Sequence, residues 1–117
     1  MQFMVMCCIE EKRWAELPEA SRDAIMRDYG EWVAQVAKQG KHVATARLAP
    51  SGTAHTIRRK DGRSMIVDGP FAETKEQFGG YHVLDCRDLD EAIALAERIP
   101  TLPYGGVLEV RAVEPGA

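Results

Sequence analysis

With 117 residues, 45% of them hydrophobic and 28% charged, the chain has the size and composition of one globular domain with a modest core. A formal net charge of −3 without a basic stripe argues against a dedicated binder of nucleic acid or of an anionic membrane, since either needs lysine and arginine gathered on one face.

The opening MQFMVMCCIE is apolar at most positions, too short to span a bilayer, and lacks the basic flank and cleavage site of a signal peptide. It predicts a largely buried strand in a cytoplasmic protein. On a strand, Cys7 and Cys8 point to opposite faces and cannot readily share a metal, so reduced structural thiols are expected. Pro18 suits the first turn of a helix, where its missing N–H costs nothing. Ile25, Met26, Tyr29, Trp32, Val33 and Val36 then recur at helical spacing up to a stop at Gly40. HVATARL reads as a strand that ends by Pro50. Two extended runs flank Asp61-Gly62, the strongest short hairpin signal. YHVLDC gives another strand. RDLDEAIALAERIP predicts a short helix with Asp88 as N-cap, Glu91 three residues on, and Leu89, Ala92, Ile93, Ala96 and Ile99 as its apolar stripe. GVLEVRAV is the last strand, which makes residues 1–113 one domain and 114–117 a tail.

This order, β-α-β, a hairpin, then β-α-β, predicts an α+β fold. It is a ferredoxin-like split βαβ with an inserted β-hairpin and both helices on one sheet face. That fold leaves the other sheet face bare, and alternating apolar positions such as Phe3, Val5, Val83, Val107 and Val110 predict that both faces are partly apolar. A patch of that size is unusual on a monomer, so a homodimer packed sheet to sheet is expected.

The segment DGPFAETKEQFGG, from Asp68 to Gly80, concentrates turn formers and charge between two strands. Asp68-Gly69-Pro70 makes a turn, Phe71 is placed to anchor the loop on the core, and Gly79-Gly80 allows a bulge or a close backbone approach. DGPFAETKEQFGGYHVLD, with LAPSGTAHTIRRKDGRSMIVDGP before it and LDEAIALAERIP and GVLEVRAV after it, resembles the YCII-related family, in the branch marked by an Asp-Gly-Pro-Phe motif. The resemblance covers nearly the whole chain. It implies a homodimeric α+β barrel of two ferredoxin-like subunits that binds or converts a small carboxylate- or carbonyl-bearing molecule by acid/base chemistry, with no metal or other cofactor. In a second reading it implies a non-catalytic regulatory module partnered with an extracytoplasmic-function sigma factor. The wider family carries a His in its first helix and an Asp near the end of its second as a proposed acid/base pair. Those positions fall here on Tyr29 and near Ile99, so that mechanism does not transfer.

The residues themselves offer other candidates. Asp68 is a general base if partly desolvated beside Phe71, or simply a turn cap. Tyr29 can donate a proton or polarise a carbonyl, although a phenol is a poor base at neutral pH. Arg47 can hold a substrate carboxylate bidentately, or pair with Asp68 and fix the loop. Lys75, among Glu73 and Glu76, is an anion anchor or one member of a solvated charge run. The histidines at 42, 55 and 82 lack metal-binding spacing, and His82, directly after the motif, is the one placed to face a pocket. Trp14 and Trp32 are expected as core or interface anchors. The expected site is a pocket between sheet and helix. Asp68, Tyr29 and His82 would supply acid/base groups there, and Arg47, Phe71 and Lys75 would bind the substrate.

Overall fold

The architecture is that of a computed structural model and is described for residues 1–116. The chain runs β1 (Gln2–Ile9), α1 (Glu11–Glu16), α2 (Glu19–Lys38), β2 (His42–Arg47), β3 (His55–Lys60), β4 (Arg63–Asp68), β5 (Gln77–Asp85), α3 (Leu89–Ala96) and β6 (Gly106–Ala112). Four strands form one antiparallel sheet in the order β2-β5-β1-β6, and β3 and β4 form a separate two-stranded ribbon. This is the expected split βαβ arrangement with its inserted hairpin. The short helix α1 was not legible in the sequence, because six residues are too few to show a helical period.

Alternation along β1 and β5 decides what is buried. Phe3, Val5 and Cys7 of β1 and His82 and Leu84 of β5 point to the helical side and are at most 7% exposed. Across that face lie Trp32 and Val36 of α2, Ala92 and Ala96 of α3, and Ile99. The Trp32 indole N–H donates to the Leu95 carbonyl at 2.9 Å, which ties α2 to α3 and satisfies a buried donor. In α3 the stripe differs from expectation. Leu95 joins Ala92, Ala96 and Ile99 inside, while Leu89 and Ile93 stay 47% and 38% exposed. One short helix lying on a sheet buries a single narrow face, and positions 92, 95, 96 and 99 share it. Asp88 caps this helix as expected, accepting the Glu91 N–H at 2.9 Å. Glu91 in turn accepts the N–H of Arg87, one residue ahead of the cap.

Among the described residues no helix covers the opposite sheet face. Met4 pairs with Val83 and Arg111, and Cys8 with Phe78 and Val107. Among these, Phe78 and Val107 are 43% and 49% exposed.

Two glycine-dependent features shape the molecule. The hairpin turn places Asp61 at φ 52° and Gly62 at φ 75°, the double positive φ that a tight two-residue connection needs. At the start of β5 the register slips between Cys7 and Cys8, leaving Gly79 as a bulge. The next residue, Gly80, sits so close to β2 that a Cβ would lie 2.8 Å from the Ala46 carbonyl oxygen. Both roles read from the glycine pair are therefore present. Because the obstruction is backbone, Gly80→Ala is expected to destabilise the fold by about 1–3 kcal/mol, measurable by urea unfolding. An unchanged midpoint would show that β2 yields without strain.

Candidate functional site

Behind Gly80 the helical layer does not fill the space over the sheet. A cleft of about 760 Å³ opens there between α1, α2 and strands β1, β2 and β5. Its walls are mainly apolar, with Ile9, Trp14, Met26, Val33 and Leu48 among them, and Tyr29, His82, Arg47 and Cys7 are among its polar groups, together with Glu11, Thr45 and Thr101. Such a concave apolar space with a few convergent polar groups is the usual form of a small-molecule site. Trp14 thus belongs to the cleft and Trp32 to the core.

Each polar group is placed by its own element. Tyr29 lies on α2 one turn before Trp32 and Val33, so the helix that packs the core also aims the phenol at β5. His82 alternates with Gly80 and Leu84 on the buried face of β5 and is 2% exposed. Its Nε2 is hydrogen-bonded to the Tyr29 hydroxyl. Its Nδ1 lies 3.1 Å from Nε2 of half-buried His42 on β2. The Cys7 sulfur is 3.6 Å from the same Tyr29 hydroxyl. The edge of the Trp32 ring rests on His82, centroids 4.9 Å apart at 68°, and holds the imidazole in place. Cys7, Tyr29, His82 and His42 therefore form one continuous chain of exchangeable protons.

Desolvation governs the electrostatics of this chain. Burial, followed by the nearby His42, lowers the His82 pKa from 6.5 to about 4. Burial also lowers His42. The Tyr29 phenol is pushed well above its ordinary value, first by burial and then by Cys7 beside it, with the Arg47 charge pulling the other way. Burial raises the Cys7 thiol too, more than its bond to Tyr29 lowers it. At neutral pH all four groups are uncharged, and a protonated Cys7 is a poor nucleophile.

The six residues expected to line one pocket are divided by the fold. Tyr29, Arg47 and His82 come together in the cleft. Asp68, Phe71 and Lys75 lie elsewhere. Asp68 ends β4 at the base of the ribbon, its side chain 94% exposed and 3.1 Å from His55, so nothing desolvates it and Arg47 is not its partner. Phe71 is 80% exposed and anchors on no core of its own chain. Lys75 reaches out to Glu10 at 2.7 Å, across a separate, charged groove. His42 and Cys7, by contrast, enter the site without having been singled out for it. His42 is 40 residues from His82, and only the β2–β5 pairing makes them neighbours. Among the described residues no group of three or more His, Cys, Asp or Glu side chains is arranged to hold a metal ion. No helix among them is long and apolar enough to cross a membrane.

The YCII-related domain profile matches residues 1–116. The chain belongs to the YCII-related family. A YCII-related relative, "Uncharacterized protein R00369" of Rhizobium meliloti (strain 1021), is 36% identical over 112 residues, covering 95% of this chain and 90% of its own. Among solved structures, the fold is similar to that of 5-chloro-2-hydroxyhydroquinone dehydrochlorinase (TftG) from Burkholderia phenoliruptrix AC1100, in complex with 2,5-dihydroxybenzoquinone. The TM-score is 0.62 at 13% identity, covering 99% of this chain and 96% of that one. At that identity the likeness concerns the fold. This YCII-related chain therefore shares an α+β architecture with an enzyme of small organic molecules and carries its own set of polar groups in the cleft.

Proposed function

We propose that the cleft binds a small organic molecule bearing a carboxylate or carbonyl oxygen and moves a proton to or from it, using the side chains of the chain itself. The observation that carries this reading is the hydrogen-bonded series Tyr29–His82–His42, running from an apolar cleft to a half-buried outer imidazole. Arg47 lies in the same cleft and would take the oxyanion, since a guanidinium matches a carboxylate with two parallel hydrogen bonds.

Tyr29 gives its proton to the substrate and receives one from His82 Nε2. His82 is refilled at Nδ1 from His42 Nε2, and solvent reprotonates His42. Each imidazole starts and ends neutral by exchanging tautomers, so one proton passes from solvent to substrate; the reverse order abstracts one. The depressed His82 and the raised Tyr29 favour this mode, because neither imidazolium nor phenolate is stable there as a resting charge. The quinone complex of the structural neighbour supports a small, oxygen-rich molecule as the class to try first. We also propose that the subunit works as a homodimer with its bare sheet face, including Phe78 and Val107, covered by a second copy.

The test is a thermal-shift screen of small carboxylates, aromatic acids and hydroxyquinones on the wild type and Arg47→Ala, since a ligand that binds only the native state raises its stability. A saturable shift that the variant loses, with affinity falling about 10–100-fold as one charged bidentate contact disappears, is the expected result. Equal shifts in both proteins would remove Arg47 from the site, and no shift with any compound class would sink the small-molecule reading.

A further inference from the structure

The β3–β4 ribbon stands apart from the rest of the molecule. Among the described residues neither strand packs extensively on any element except the other. An isolated two-stranded ribbon is marginal in water. This one carries apolar side chains on both faces among its polar ones, with Ile57 opposite Ile66 on one, and Val67 and Met65, opposite Thr56 and Arg58, on the other. Ile57 and Ile66 are 71% and 69% exposed, and Phe71, three residues past the arm, adds a ring 80% exposed. The arm draws the radius of gyration out to 16.1 Å, against about 13 Å for a compact domain of this length. An apolar surface this extended calls for a covering partner.

Charge indicates which partner. Residues 55–68 carry Arg58, Arg59, Lys60 and Arg63 against Asp61 and Asp68, a net +2, while the whole chain is −3 and its remainder therefore −5. The complementary net charge is carried by the remainder of this same chain. The arm's base is clamped, the Gly69 N–H donating to the Ala54 carbonyl at 2.6 Å and the Thr56 hydroxyl to the Gly69 carbonyl at 2.8 Å. That clamp closes the root of the ribbon, whose strands make few contacts with the rest of their own chain. A two-fold pair of copies satisfies both arms at once, each with the other's body.

We propose that the β3–β4 arm of one copy embraces the body of a second copy, burying Ile57, Ile66 and Phe71 and setting the basic tip against the partner's acidic surface. This contact is additional to the sheet-to-sheet packing proposed above and rests on different residues. It also gives the Asp68–Phe71 segment a role at the root of the arm rather than in the cleft.

Ile57→Lys/Ile66→Lys is the deciding variant, because both positions are exposed in the single subunit and the change spares its core. Sedimentation equilibrium is expected to show a wild-type dimer and a dissociation constant raised about 100-fold or more in the variant, since central apolar anchors dominate such interfaces and a symmetric pair loses them twice. Amide exchange within 55–68 is expected to slow as wild-type concentration rises. Arg58→Glu/Arg63→Glu provides a second reading if the lysine variant does not fold, and it should weaken the dimer most at low salt. Met6→Lys, on the sheet face, separates the two contacts. The proposal is overturned by a wild type that stays monomeric, by arm variants that dimerise as the wild type does, or by arm exchange independent of concentration.

Discussion

Acidification from pH 7 to pH 4 is expected to remove up to about 3 kcal/mol of stability through His82 alone, and His82→Gln should abolish most of that loss. In the folded protein His82 titrates near 4, because burial and then His42 oppose its charge, whereas the ordinary value is 6.5. Between those two values the unfolded chain holds a proton that the folded chain does not. Stability therefore rises with pH across this window and is lost as pH falls through it, the reverse of a histidine held by a carboxylate. His42, shifted in the same direction, adds to the slope. Glutamine keeps a polar atom near the position of Nε2 and cannot take up the charge. Urea midpoints at pH 7 and pH 4 for the two proteins are the measurement. Parallel slopes would mean that His82 is solvated and titrates normally.

Tyr29→Phe is expected to lower turnover of any substrate found by the ligand screen about 10²–10⁴-fold, the range that positioned acid/base groups contribute. Ligand affinity should change little, because the ring still fills the same space and Arg47 is untouched. The variant leaves His82 Nε2 without its buried partner, so some loss of stability accompanies the loss of rate. His42→Gln should act on the same chain from its outer end, slowing turnover without weakening binding. A Tyr29→Phe protein that keeps full turnover would sink the relay while leaving the cleft as a binding site.

What could be read in the sequence follows from how local each signal is. The Asp61-Gly62 turn and the Asp88 cap are decided within a few residues, by backbone torsion and by hydrogen bonds to near neighbours, whereas which face of β1 is inside, with Phe3 and Val5 on it, waits for the helices to pack. The glycine pair after the motif was legible as a bulge or a close approach, and it is both. Helical spacing placed Tyr29 on the inner side of α2 with Trp32 and Val36. The same logic failed where a segment's surroundings matter more than its residues. Asp68 and Phe71 look like a desolvated carboxylate beside an anchoring ring only if the loop folds onto its own core.

The sequence by itself determined the order of the strands and of the two longer helices and the inner side of α2, because periodicity and turn chemistry are encoded within each element, while the family was legible in the Asp68–Gly80 motif segment. Only the tertiary structure decided the site. Strand pairing in the order β2-β5-β1-β6 brings residues 42 and 82 within 3.1 Å, and helix packing sets the Tyr29 hydroxyl on the same imidazole. Neither distance has a counterpart in sequence spacing. The shifts at His82 and Tyr29 arise from burial, a property of the packed molecule that no residue carries alone.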